Sequence, residues 1–360
     1  MKTIPVYSPV FTEDDARAAA DCVRSGVLSW FGPEVRRLEE RFAELSGRKF
    51  ALSCSSGTAA LHLALSAVAA PGDLVAVPTL AYAPVAFAPL HLGAQLVFMD
   101  TDPTTWNLDL DGLQNALQAQ RIDAVIAVHT YGNPVDMGRL KVLSEKYGFR
   151  IVEDACEALS GSLNGSPLGS FGHVGVFSFY GNKVISSGEG GMVVTDDASF
   201  YKTMSAQRGQ GEQPGRKFWH TVAGWNFRMT NLQAAVLNTQ LDRFDKIRQA
   251  KDTVAEGYRK LLDRSLIWQR VPSGGVHAWW MVAVRSANPG WGRRAADHLA
   301  QKGIETRPVF PPLHDMPPCR QDLDLPGAER LHDTGIVLPG GPGLTEQDIE
   351  YVAAAVNKIL

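Results

Sequence analysis

Cysteine is scarce in this 360-residue sequence, with four residues (Cys22, Cys54, Cys156 and Cys319) and no CxxC pair. Neither a disulfide framework nor a cysteine-based zinc centre is expected, and no metal site is read from the chain. Long apolar runs are also missing: no uninterrupted stretch reaches the roughly 18 residues that a membrane-spanning helix needs. The opening, MKTIPVYSPVFTEDDARAAA, lacks the basic and then apolar layout of a signal peptide. These absences predict a cytoplasmic protein without a membrane partner. Neither sign of charge is in excess, since 35 Lys and Arg stand against 38 Asp and Glu for a net charge of −3. Such a balance gives no general attraction for a nucleic-acid polymer. No internal repeat or low-complexity tract is visible.

What is present is the composition of an ordinary globular protein, 45% apolar and 20% charged. The length predicts one large core plus a smaller unit. Apolar strand-like runs alternate with helical patterns through residues 1–235: LVAVP (74–78), QLVFMD (95–100), AVIAVH (124–129), RIVEDA (150–155) and GVFSF (175–179) read as strands. ALHLALSAVA (60–69) and MGRLKVLSEKYG (137–148) read as helices. This alternation predicts an α/β fold with a mainly parallel sheet covered on both faces. Residues 232–263 read as one long or twice-broken helical stretch. A strand-like HAWWMVAVRS (277–286), a Pro-rich loop RPVFPPLHDMPP (307–318) and a closing helix follow. The closing helix opens with a capping box, Thr345 with Asp348. Residues 236–360 are therefore expected to form a smaller α+β domain beside the large one at 1–235.

Three stretches place polar groups just past a predicted strand end, the edge at which open α/β sheets bind ligands. In SCSSGTAALHLAL (53–65), Ser55-Ser56-Gly57-Thr58 runs straight into a helix. Free N–H groups at a helix start suit a phosphate, although Ser and Thr there also serve as plain caps. The loop is not a Walker sequence. In IVEDACEAL (151–159), Asp154 ends a buried strand, where an unpaired carboxylate is costly. A cofactor or an ordinary ion pair would satisfy it, and Glu157 follows one helical turn later. In SFYGNKVISSGEGGM (178–192), Ser178 and Lys183 reach the same edge among glycines that permit close backbone approach. Lys183 is either a surface lysine or a nucleophile, since a desolvated lysine amine forms Schiff bases with carbonyl compounds. A phosphate cradle, a buried aspartate and a lysine together suggest pyridoxal 5′-phosphate.

The blocks GTAALHLAL, VPTLAYAP, VHTYGNPVDM, the run from VEDACEA through YGNK to MVVTD, and GWNFRMTNLQAA resemble one family in order and spacing over nearly the whole chain. That family is the DegT/DnrJ/EryC1/StrS sugar aminotransferases, pyridoxal-phosphate enzymes of fold type I. The resemblance implies an aspartate-aminotransferase-like fold with a seven-stranded sheet. It implies that Lys183 holds the cofactor and shuttles the proton, that Asp154 partners the pyridinium nitrogen and that Glu157 approaches the ring hydroxyl. Gly57, Thr58 and Ser178 resemble the phosphate cradle, and Tyr82 lies where a ring stacks on the cofactor or packs in the core. Asn226 resembles a phosphate contact supplied by a neighbouring subunit, which implies a homodimer with shared sites.

RKFWHTVAGWNFRMTNLQAA (216–235) is similar to members that aminate C4 of a GDP-linked 4-keto-6-deoxyhexose. The resemblance therefore implies L-glutamate as donor and a nucleotide-sugar acceptor, with GDP-4-keto-6-deoxy-D-mannose converted to GDP-perosamine. UDP- or dTDP-linked keto-sugars and a keto-inositol stay open as acceptors, as does a non-catalytic cofactor-binding protein. Sugar dehydratases of the family typically carry His where this chain has Lys183. His220, Arg228, Arg307 and His314 are candidates for substrate contact. Trp225 and Cys156 depart from the Tyr and Ala of many relatives.

Overall fold

A computed structural model describes residues 3–360. Helices α1 (Glu13–Ser25) and α2 (Pro33–Ser46) precede β1 (Phe50–Cys54) and α3 (Gly57–Val68). There follow β2 (Leu74–Pro78), α4 (Pro84–Leu92), β3 (Gln95–Met99), α5 (Leu110–Ala119), β4 (Ala124–Val128), α6 (Met137–Tyr147) and β5 (Arg150–Asp154). Two short strands, β6 (Ser162–Leu163) and β7 (Ser166–Pro167), lead to β8 (Val174–Ser178), β9 (Gly191–Thr195) and α7 (Ala198–Arg208). The rest comprises α8 (Asn231–Asp242), α9 (Phe244–Leu261), β10 (Ile267–Trp268), β11 (Gly275–Val276), β12 (Val282–Arg285), α10 (Trp291–Gln301), β13 (Arg307–Pro308), α11 (Pro326–Thr334), β14 (Gly335–Leu338) and α12 (Glu346–Asn357).

The large sheet has seven strands in the order β1-β9-β8-β5-β4-β2-β3. Its strands β2, β3, β4, β5 and β8 pair in parallel, while β9 runs antiparallel between β8 and β1. All five strands expected from the sequence form. Among them β4 is buried end to end and β2, β5 and β8 are buried except at one terminal residue, as their apolar runs require of a sheet covered on both faces. Two apolar clusters flank it, one around Leu38, Phe42, Ile151 and Leu237, the other around α3 and α4. Parallel pairing brings the C-terminal ends of β4, β5 and β8 to one edge, and β1, which like β8 pairs antiparallel with β9, ends there too. The turns leaving that edge carry every catalytic candidate from the three sequence stretches.

The four-stranded antiparallel sheet β10-β12-β14-β13 packs with α9, α10 and α12 around Trp291, Tyr258 and Ile336. Ile4, from the other end of the chain, joins that core and pairs with Ile304. The helical stretch at 232–263 breaks once rather than twice. At Arg243 the backbone leaves helical geometry (φ −119°, ψ 19°) and the side chain turns in to the buried carboxylate of Asp15 and the carbonyl of Val10. HAWWMVAVRS is strand only over Val282–Arg285, because Trp279 adopts φ +49° and ends the extended run. The closing helix is capped as expected, with Thr345 accepting from the Asp348 N–H and Asp348 closing the box.

Candidate active site

A cavity of about 520 Å³ opens at the strand edge, lined among others by Gly57, Thr58, Asp154, Glu157, Ser178 and Lys183. Three separated stretches of sequence meet here because β1, β5 and β8 lie in one sheet with their ends aligned. At the end of β1, Ser56 caps α3 by accepting the Ala59 N–H at 3.1 Å. The plain capping role is thus real, yet it occupies only one of the first-turn donors. The N–H groups of Gly57 and Thr58 have no acceptor inside the helix. A Cβ on Gly57 would lie 2.7 Å from the Cβ and 2.9 Å from the hydroxyl of Ser178. Only glycine keeps that cleft between two strand ends open, and the hydroxyl of Ser178 faces it.

Asp154 closes β5 and is buried, and its carboxylate accepts the Cys156 backbone N–H at 3.0 Å. Burial, then the Asp154 charge, pushes the Cys156 thiol well above its ordinary range, so it stays protonated and inert. Glu157 accepts the Tyr131 N–H at 2.7 Å. Burial raises its pKa to about 7, with Asp154 adding to the rise while Lys183 and the Tyr131 N–H oppose it. Lys183 sits on the loop after β8, with its N–H turned back to the Tyr180 carbonyl at 2.9 Å and its Nζ 3.6 Å from the centre of the Trp280 ring. One amine and two carboxylates therefore share a largely desolvated space.

Tyr82 stands at the cavity mouth, 65% exposed and tilted toward Phe310 at 6.3 Å. It is not a core residue. Arg307 also lines the cavity and lies 3.7 Å from Glu305. His314 is not among the residues that line it. The ring is 1% exposed, hydrogen-bonded through Nδ1 to Thr79 at 2.7 Å and tilted against Phe98. Asn226, Arg228 and His220 lie outside this chain's cavity but form a group of their own. Arg228 donates to Asn226 and to the side chain of Gln210, and His220 donates to the Gln210 carbonyl.

Sequence reasoning missed the aromatic wall of the cavity. Tyr131, at φ +57° beyond β4, stacks on Phe310 at 5.0 Å and runs nearly parallel to Trp280. Tyr131 had a signal, since VHTYGNP places polar groups past a strand end. Trp280 and Phe310 had none, as an aromatic in an apolar run or a Pro-rich loop reads as packing.

A profile described as the DegT/DnrJ/EryC1/StrS aminotransferase family matches residues 9–357. A GDP-perosamine synthase of Escherichia coli O157:H7 is 36% identical, over 99% of both chains. A GDP-perosamine synthase of Caulobacter vibrioides is 38% identical, over 99% of this chain and 98% of the relative. Among solved structures, the aminotransferase TlmJ from Streptoalloteichus hindustanus superposes with a TM-score of 0.93 at 28% identity, over 99% of each chain.

Proposed function

We propose a reaction from one premise: the chain belongs to the DegT/DnrJ/EryC1/StrS aminotransferase family. It is a pyridoxal-phosphate-dependent sugar aminotransferase. Within that class we assign it the transfer of an amino group from L-glutamate to GDP-4-keto-6-deoxy-D-mannose, giving GDP-perosamine. The observation that carries the chemistry is the meeting of Lys183, Asp154 and the glycine-gated start of α3 in one cavity. Likeness to GDP-perosamine synthases along the whole chain supports the choice of sugar.

The residues fit the cofactor. The cleft that a Cβ at Gly57 would fill, with the Ser178 hydroxyl and the first N–H groups of α3, suits a phosphate. Asp154, buried and bonded by the Cys156 N–H, suits a protonated ring nitrogen. When bound, pyridoxal 5′-phosphate supplies an aldehyde for the amino group and a ring that withdraws electrons from the carbon losing its proton. Lys183 then has two tasks: its Nζ holds the cofactor at rest and, once released, takes the proton from the α-carbon of glutamate. In the second half of the cycle the same amine returns a proton to the sugar carbon. Asp154 holds its charge against the ring nitrogen, and Glu157 lies beside both. The aromatic wall of Tyr131, Trp280 and Phe310 limits water around the amine.

Asn226, Arg228 and His220 are assigned to the cavity of a second copy, making the enzyme a homodimer. Exposed aromatics on the same side of the chain support this, among them Trp30, on which Arg228 rests, and Phe218 at 86% exposure. Four unpaired cysteines suit a cytoplasmic setting. The deciding experiment supplies glutamate with GDP-, UDP- and dTDP-linked keto-sugars and a keto-inositol, and follows product mass and 2-oxoglutarate. Turnover is expected with the GDP-linked 4-keto-6-deoxy sugar. Turnover confined to another nucleotide, or to the cyclitol, overturns the sugar assignment.

A further inference from the structure

Lys251 is an unexplained group: a lysine 1% exposed on α9, with no carboxylate at ion-pair distance among the described residues. Burial lowers its pKa to about 7, a heavy electrostatic cost for a side chain that does not itself line the cavity. Its Nζ donates to the carbonyl of Trp280 at 2.9 Å and to that of Gly340, and it lies 4.9 Å from the centre of the Tyr7 ring. Both aromatic neighbours reach onward to the reacting loop. Tyr7 donates its phenol hydroxyl to the Lys183 carbonyl at 2.7 Å, and the Trp280 indole N–H donates to the Asn182 carbonyl at 2.8 Å. Two consecutive carbonyls of that loop are thus held by two side chains, and the Lys251 amine meets the ring of one and the backbone carbonyl of the other. The face of the second ring also carries the Lys183 amine, 3.6 Å from its centre.

We propose that Trp280 is a positioning residue for Lys183: its ring docks the ammonium in the half-cycle when the amine is not bonded to the cofactor, while Lys251 fixes the Trp280 backbone and Tyr7 the loop that carries Lys183. This rests on the reading of Lys183 as the reacting amine. A released lysine must stay close enough to return, yet in a part-buried cavity it needs a partner for its charge. Asp154 and Glu157 share the cavity, yet neither lies at ion-pair distance from the Lys183 amine, which rests on the ring instead. An aromatic face attracts a cation more weakly and offers no acceptor to which the amine can lose its proton. The indole N–H anchors the backbone of the same loop, so one side chain fixes both the root and the tip of Lys183.

The test uses Trp280→Leu, Trp280→Phe and Tyr7→Phe, each checked for cofactor binding and for its melting temperature. In the cofactor-free proteins, reductive methylation with formaldehyde reads the freedom of the amine, scored at the Lys183 peptide by mass spectrometry. Trp280→Leu is expected to speed labelling at Lys183 about three- to tenfold, the range of a lost cation–π contact. Trp280→Phe keeps a ring face and should stay nearer the parent, and Tyr7→Phe should give a smaller rise than Trp280→Leu. In the loaded enzyme, Trp280→Leu should lower kcat with the KM for glutamate little changed. Unchanged labelling in Trp280→Leu, or a fall in activity that appears only as a raised KM, overturns the proposal. Borohydride trapping separates the two readings: a link at a residue other than 183 sinks the assignment of the reacting amine, whereas a link at 183 with unmoved labelling sinks only the role of Trp280.

Discussion

Glu153 and Asp154 are neighbours on one buried strand, and their surroundings could hardly differ more. Strand alternation sends their side chains to opposite faces of the sheet. Glu153 accepts from the N–H groups of Gly169, Phe171 and Gly172 at 2.6 to 2.7 Å. A fourth bond comes from His129 Nε2 at 2.9 Å. The Val135 N–H donates to Nδ1 of that ring, which leaves Nε2 to donate to Glu153. Burial works against the Glu153 charge, but these bonds outweigh it and hold the carboxyl below its ordinary range. The Asp154 carboxylate accepts the Cys156 N–H, and Glu157 accepts one N–H and is pushed up to about 7. A buried acid saturated by protein donors is part of the framework. One left short of donors in a cavity is waiting for a ligand.

The largest effect expected from this contrast is on chemistry. Asp154→Asn keeps the shape and can still accept the Cys156 N–H, but loses the charge that would face a ring nitrogen. Amino transfer should fall by about 10³-fold, in the range seen when a preorganised electrostatic group is removed, with little change in melting temperature. On the far face the pattern reverses. Glu153→Ala strands three N–H groups and His129 without their acceptor, which should cost about 3–5 kcal/mol of stability. Turnover per folded molecule should drop far less than in Asp154→Asn. Equal losses of stability in both variants, measured by denaturant unfolding, would break the distinction.

Much of this contrast was legible in the sequence. Asp154 stands out because a carboxylate ending an apolar strand demands a partner, and Lys183 because glycines and a strand end surround it. Glu153 escaped notice, since its four donors come from residues 129 and 169–172, and a loop that folds back carries no periodic signal. The burial of His314 is hidden for a related reason. A histidine in a Pro-rich loop resembles a surface ligand until tertiary packing buries it against Thr79 and Phe98. The fold is legible through strands with continuous apolar runs, whereas β9 is not, because GMVVT mixes small and polar residues, and β1 shows only as the strand end before Ser55. The break at Arg243 depends on Asp15, more than two hundred residues away, and lies beyond any local pattern.

The smallest effect, and the sharpest on the difference between the two faces, concerns Glu157 in the cofactor-free protein. Its folded pKa of about 7 lies above the ordinary value of 4.5. Below pH 4.5 the group is protonated in both folded and unfolded chains and has no influence on stability. Between pH 4.5 and 7 the unfolded chain releases the proton while the folded chain keeps it, so stability falls as pH rises. Above pH 7 the penalty is complete, up to about 3 kcal/mol from the linkage relation. Glu157→Gln removes the titration and keeps an acceptor for the Tyr131 N–H. The variant should therefore gain over the parent in denaturant midpoint at pH 8 and lose that gain by pH 4.5. Glu153→Gln should show the opposite trend, because a carboxyl held below its ordinary range stabilises the fold at neutral pH and loses that contribution as pH falls through its depressed pKa. Parallel pH profiles for the two variants would mean that donors, not the cavity, govern both acids alike.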